Sequence, residues 1–169
     1  MLLQIVEHTP VWVWGLLAAL IALGASQARD RDVSLGRVTV LPFGLIVLSL
    51  FGVTSAFGHQ PTALFAWLVG AGAAAAIARR LLAVRGATWS SATRLFHVPG
   101  SWLPMVLILG LFAVKYFAGA CLAIEPRLAG DATFAGSCSL AYGVFSGCFL
   151  GRALSLRRVA GGVGALSAA

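Results

Sequence analysis

The chain has 169 residues, 60% of them hydrophobic and only 10% charged, with a formal charge of +7. Soluble domains run near half apolar and a quarter charged, so this balance belongs in lipid. Runs close to the ~20 apolar residues that cross ~30 Å of hydrocarbon take up most of the sequence and leave no room for a separate soluble domain.

The first run, Thr9 to Ala28, opens with a capping hydroxyl and then Pro10 at the first helical position, where its missing N–H costs nothing. Trp12 and Trp14 follow at headgroup depth as an aromatic anchor. Ala25 to Ala28 would pass as a signal-peptide cleavage site. However, Glu7 and no cation precede the run and the basic residues follow it, which is the pattern of a retained helix with its N-terminus outside. A short loop of mixed sign, Arg29 to Arg37, joins it to the second run, Val38 to Gly58, which carries Pro42 in its first turns. His59, Gln60 and Pro61 make a tight external turn into the third helix, whose Gly70, Gly72 and Ala73 to Ala76 form a small-residue face for close packing.

Residues 85–101 are the one internal stretch long enough for cytoplasmic structure of its own. Trp89, Leu95, Phe96 and Val98 flank Ser90 and Ser91, and Pro99-Gly100 closes it, so it reads as a short β-hairpin or an interfacial amphipathic turn. The fourth helix ends externally at Glu125-Pro126. The fifth is followed by a glycine-rich tail, residues 159–169, expected to be disordered in the cytoplasm. The expected fold is an all-α polytopic transmembrane bundle in a single domain, residues 1–158, with five spans at about 9–28, 38–58, 62–84, 102–124 and 132–156. No internal repeat is visible, and five spans cannot make two equal inverted halves of the kind that build many transporters.

Charge placement sets the expected orientation. Arg29, Arg31 and Arg37 follow the first span, Arg79, Arg80, Arg85 and Arg94 the third, and Arg152, Arg157 and Arg158 close the fifth, so ten of twelve basic residues share one side. Arg127 lies opposite with Glu7, Glu125 and Asp131, and Lys115 lies inside the fourth span. By the positive-inside rule the N-terminus is outside and the C-terminus cytoplasmic. The basic excess is thus accounted for by topology, and no basic stripe with interleaved aromatics points to nucleic acid.

His8-Thr9-Pro10 with Trp12 and Trp14, Pro99-Gly100-Ser101-Trp102 with Pro104, Phe112 with Lys115-Tyr116, and Phe149 with Gly151-Arg152 resemble a family of uncharacterised proteobacterial inner-membrane proteins, known only as a domain of unknown function. The likeness runs from His8 to Arg158. It implies an inner-membrane location and no chemistry.

Lys115 is the ionisable residue deep in a span, ~3 Å from the midplane at 1.5 Å per residue. Its side chain is too short to snorkel out, and a lipid-facing lysine at that depth costs about 2.5–3.5 kcal/mol. It is expected to face the bundle interior near Tyr142, Ser49 or Ser139, which share its depth. A structural lysine, an anion or proton site, and a lysine paired with an acid from a partner subunit all stay open.

Ser139, Gly143, Gly147 and Gly151 recur at four-residue spacing, a glycine zipper that lets another helix backbone approach within the monomer or across a homodimer. His8 and His59 share the external face with Glu7, Glu125 and Asp131 and are weak candidates for metal or haem, since they follow no ligand spacing. Cys121, Cys138 and Cys148 are odd in number, lie within spans and form no C-x-x-C.

No cofactor and no catalytic set is expected. The functional expectation is a non-catalytic membrane subunit or scaffold in the inner membrane, with the lipid bilayer and a homodimer or membrane-protein partner around it. A small permease or channel component built on Lys115 is the alternative, and periplasmic-face haem or metal binding is a second.

Overall fold

The computed structural model describes residues 9–58, 60–82, 84, 86–90, 93 and 95–166, with side chains at all of these except 35, 41 and 159–166. Glu7, His8, His59, Arg85 and Arg94, and the metal or haem site considered for His8 and His59, therefore lie outside the described residues.

Five helices carry the fold: α1 Val11–Ser26, α2 Leu35–Phe57, α3 Pro61–Leu81, α4 Leu103–Ile124 and α5 Ala132–Leu166, with a 3-10 turn at Pro126–Gly130 before α5. Among the described residues, four of these helices, α2 to α5, are long and apolar enough to cross a membrane. The first is apolar but has 16 residues, about 24 Å at 1.5 Å per residue and short of the hydrocarbon thickness.

Helix α5 is the centre of the bundle: half of its apolar window is buried, against 17% for α4. Its most extensive partner is α3, and α2 and α4 pack on it less closely. Helix α1 packs mainly on α4, where Gly24 leaves room for Met105. One cluster, built from Val53, Phe57, Ala63, Trp67, Ala118, Ala135, Cys138 and Tyr142, joins α2, α3, α4 and α5.

Three short strands form a cap at one end: β1 Arg31–Ser34, β2 Thr88–Ser90 and β3 Leu95–Val98. They pair antiparallel in the order β1-β3-β2, with Arg31 opposite Val98 and Trp89 opposite Phe96. The stretch expected as a hairpin or an interfacial turn is thus a hairpin. The loop after α1, read as a plain connection, adds a third strand to it. Phe96 is fully buried beneath Trp89, their ring centroids 4.5 Å apart, and packs with Val33, Val38, Val98 and Leu156. Gly86, at φ +77°, takes the left-handed conformation that turns the chain into β2.

Because β1 and β3 are hydrogen-bonded neighbours, the segments after α1 and after α3 lie at the same end of the bundle. At the other end the Gln60 amide donates to the Gly130 carbonyl at 2.8 Å, joining the α2–α3 turn to the approach to α5. The described basic residues that follow α1, α3 and the apolar part of α5 therefore share one end, and Glu125, Arg127 and Asp131 mark the opposite one.

Helix α5 also runs past the expected boundary at Leu156 and through Gly161-Gly162 to Leu166. Glycine in a helix interior costs about 1 kcal/mol relative to alanine, but it keeps its N–H and does not break the hydrogen-bond ladder as proline would. A tail reading based on glycine content therefore misses a helix that is already propagating.

Candidate functional site

The intramembrane residues singled out by sequence separate into two groups. Ser49, Ser139 and Tyr142 lie in the buried core. Trp67 Nε1–H donates to Ser49 Oγ at 3.0 Å, and the Ser49 and Ser146 hydroxyls both donate to the Tyr142 carbonyl, at 3.4 and 2.9 Å. This knot ties α2, α3 and α5 together and uses the serines as internal connectors. Ser139 Oγ is buried with no hydrogen-bond partner among the described residues.

Lys115 does not join them. Its side chain is exposed on the flank of the bundle, and its Nζ lies 3.7 Å from where a β-carbon on Gly52 of α2 would stand. The core-facing stripe of α4 runs through Leu111, Val114, Ala118 and Leu122, and Lys115 falls at its edge. Among the described residues it has no hydrogen bond or ion pair. The expected inward-facing lysine near Tyr142, Ser49 or Ser139 is corrected on this point: helical phase turns it toward the α2–α4 flank.

The glycine stripe faces α3. A β-carbon on Gly143 would meet the Trp67 carbonyl oxygen, one on Gly147 would meet the Ala71 carbonyl oxygen, and one on Gly151 would lie 2.6 Å from the Ala75 carbonyl oxygen. Gly70 of α3 reciprocates, 2.6 Å from the Leu140 carbonyl oxygen by the same measure. The homodimer seam considered for this face is thus filled by the chain's own third helix.

Sequence reasoning missed a second site. A cavity of about 370 Å³ opens at the basic end, between the end of α1, the start of α2, β1 and the later turns of α5. Leu23, Val38, Phe149 and Leu156 are among its apolar walls, and Ser26, Gln27, Arg31, Arg37 and Arg152 are its polar lining.

Strand alternation explains the arrangement. Successive side chains in a strand point to opposite faces, so Arg31 and Val33 line the cavity from β1 while Asp32 and Ser34 are exposed on the other side. On that outer face His97 Nδ1 and Asp32 Oδ1 lie 3.0 Å apart. Asp30 is occupied as well, accepting from the Gly100 N–H at 2.7 Å. A β-carbon on Gly100 would meet the Ala28 carbonyl oxygen, so this approach requires glycine.

The acids of the first loop are therefore engaged away from the cavity, and among the described residues its three arginines have no ion pair. Gln27, itself buried, accepts from Arg31 Nη2 at 2.9 Å, while Arg31 Nε is buried without a partner among the described residues. Burial first, and the charge of Arg37 second, pull the Arg31 pKa below the ordinary arginine value. A guanidinium still keeps its proton at neutral pH. The charge must then be met by an anion or by water. The signal available in sequence was an excess of arginine over acid in segments that must meet at one end.

A family pattern matches residues 1–165, nearly the whole chain. The chain belongs to this family of unknown function, DUF6622. An uncharacterized protein of Pasteurella multocida (strain Pm70) is 35% identical over 69 residues, covering 40% of this chain and 52% of that protein. The chain thus matches about half the length of that curated relative. No solved structure matches the chain. The likeness read from the Pro10, Pro99-Gly100 and Lys115-Tyr116 segments is a membership in an uncharacterised proteobacterial family. Its four helices long and apolar enough to span place this DUF6622 member with membrane proteins.

Proposed function

We propose that this chain is a non-catalytic subunit of an inner-membrane assembly, with five crossings, N-terminus outside and C-terminus in the cytoplasm, and that its α2–α4 flank is covered by a helix of another membrane protein. The observation that carries the proposal is Lys115: a cation near the middle of α4, exposed and without a partner among the described residues. Left facing lipid it costs about 2.5–3.5 kcal/mol, which a carboxylate or hydroxyl on a neighbouring helix removes.

A second copy cannot supply the carboxylate. The five acids, Glu7, Asp30, Asp32, Glu125 and Asp131, all flank the spans, and the nearest on α4, Glu125, is ~15 Å along the axis at 1.5 Å per residue. Ser49 supports the same reading, since its hydroxyl is spent on tying α2 to α3 and α5.

The test is site-specific photocrosslinking in the native host from a benzoylphenylalanine at Leu48 or Gly119, exposed positions one helical turn from Gly52 and from Lys115. The expected product contains a second protein with an Asp or Glu within an apolar span. Lys115→Met should lower its yield about tenfold, and Lys115→Glu combined with the partner's acid changed to lysine should restore it. Products containing only this chain, or a yield indifferent to Lys115→Met, would refute the proposal.

A further inference from the structure

The arginine cavity is independent of the Lys115 flank, and we infer that it is a binding site for a phosphate-bearing anion at the level of the inner-leaflet headgroups. Three features converge on that ligand. Arg31, Arg37 and Arg152 line one cavity with no ion pair among the described residues. They cannot relieve their mutual repulsion by deprotonation, because arginine stays charged. Forked guanidiniums match phosphate oxygens in bidentate geometry, and such charge-assisted bonds are about twice as strong as neutral ones.

The second feature is preorganisation. Gln27 holds Arg31 through Nη2 and leaves its buried Nε unpaired among the described residues, so the guanidinium is fixed before an anion arrives and little side-chain freedom is lost on binding. Arg37 lies in the first turn of α2, a helix with no acid in that turn. A cation there opposes the positive end of the helix dipole, and an anion in the cavity would answer both.

The third feature is the walls. A volume of about 370 Å³ lined by Leu23, Val38 and Phe149 would be left mostly empty by phosphate alone. It suits a phosphate attached to apolar matter, and basic pockets between helices on the cytoplasmic side are the kind that take anionic lipid headgroups. The phosphate group is the shared chemistry; a leaflet lipid and soluble phosphate are its two sources.

The experiment uses the full chain in neutral detergent, with dioctanoyl phosphatidylglycerol, dioctanoyl phosphatidylcholine and inorganic phosphate as separate probes. Bound species are counted by native mass spectrometry, and the thermal midpoint is followed. One phosphatidylglycerol per chain is expected, with a raised midpoint and little retention of the zwitterionic lipid. Protection by inorganic phosphate and not by phosphatidylglycerol would also support the site and assign it to a soluble ligand. Arg31→Gln with Arg152→Gln should weaken binding about tenfold or more. Arg157→Gln with Arg158→Gln, exposed residues off the cavity, should leave it unchanged. If the first pair does not fold, Arg152→Lys keeps the charge, loses the fork and should bind more weakly at an unaltered unliganded midpoint. Failure of the parent chain to bind either anion, equal retention of both lipids, or binding indifferent to the cavity arginines would overturn the inference.

Discussion

Each residue singled out within the spans meets a different physical constraint, and substitution separates them. Gly147 has no room for a side chain, because even a β-carbon falls on the Ala71 carbonyl oxygen. Gly147→Leu should therefore separate α3 from α5 and lower stability by about 3 kcal/mol or prevent folding, read as thermal unfolding in detergent. Trp67→Phe keeps most of the ring and deletes the donor to Ser49. It should cost about 1–2 kcal/mol, because a buried hydroxyl loses a bond without water to replace it. Lys115→Met should leave the isolated chain at least as stable as the parent, since methionine keeps the unbranched shape and removes a charge that has no partner among the described residues. The four-residue repeat of small residues made the glycine contact legible in sequence, although not which helix would fill it. The direction of Lys115 was not legible: shared depth made Tyr142, Ser49 and Ser139 its expected neighbours. Helical phase, fixed by where Val114 and Ala118 pack, turned it to the flank instead.

At the scale of elements, the helices were legible and the cap only half so. Apolar runs of span length mark α2 to α5 without any need of periodicity, because lipid accepts apolar side chains on every face. Strand β1 left no such trace: Arg31, Asp32, Val33 and Ser34 include a single apolar residue, so alternation is invisible until β3 is there to pair with it. The same alternation turned Arg31 inward and Asp32 outward, which is why the arginine cavity could not be foreseen from a basic cluster read only as a topology signal. The cap rests on Phe96, fully buried and in tilted ring contact with Trp89. Phe96→Ala should cost about 3–5 kcal/mol locally. Amide exchange should then accelerate in β1 and β3 while the core of α5 stays protected. Acceleration spread equally through the helices would show that the cap and the bundle unfold as one unit.

At the scale of the whole molecule, strand pairing and charge bias are independent arguments about the same arrangement. Hydrogen bonds between β1 and β3 put the segments after α1 and after α3 at one end, whatever surrounds the chain. By the positive-inside rule that end would be the cytoplasmic one, as proposed, because Arg29, Arg31, Arg37, Arg79 and Arg80 gather there while Glu125 and Asp131 mark the other. Single cysteines test the two arguments separately in a background where Cys121, Cys138 and Cys148 are replaced by alanine. In intact cells a membrane-impermeant maleimide should label Arg127→Cys and spare both Ser34→Cys and Ser90→Cys. Opening the inner face should expose the latter two together. The geometry requires Ser34 and Ser90 to share a side, since Leu95 pairs with both, so labelling them from opposite sides would contradict the fold itself. Labelling both from outside, with Arg127→Cys spared, would keep the fold and reverse the orientation. The arginine cavity would then open toward the outer leaflet, and the charge bias would need a cause other than insertion.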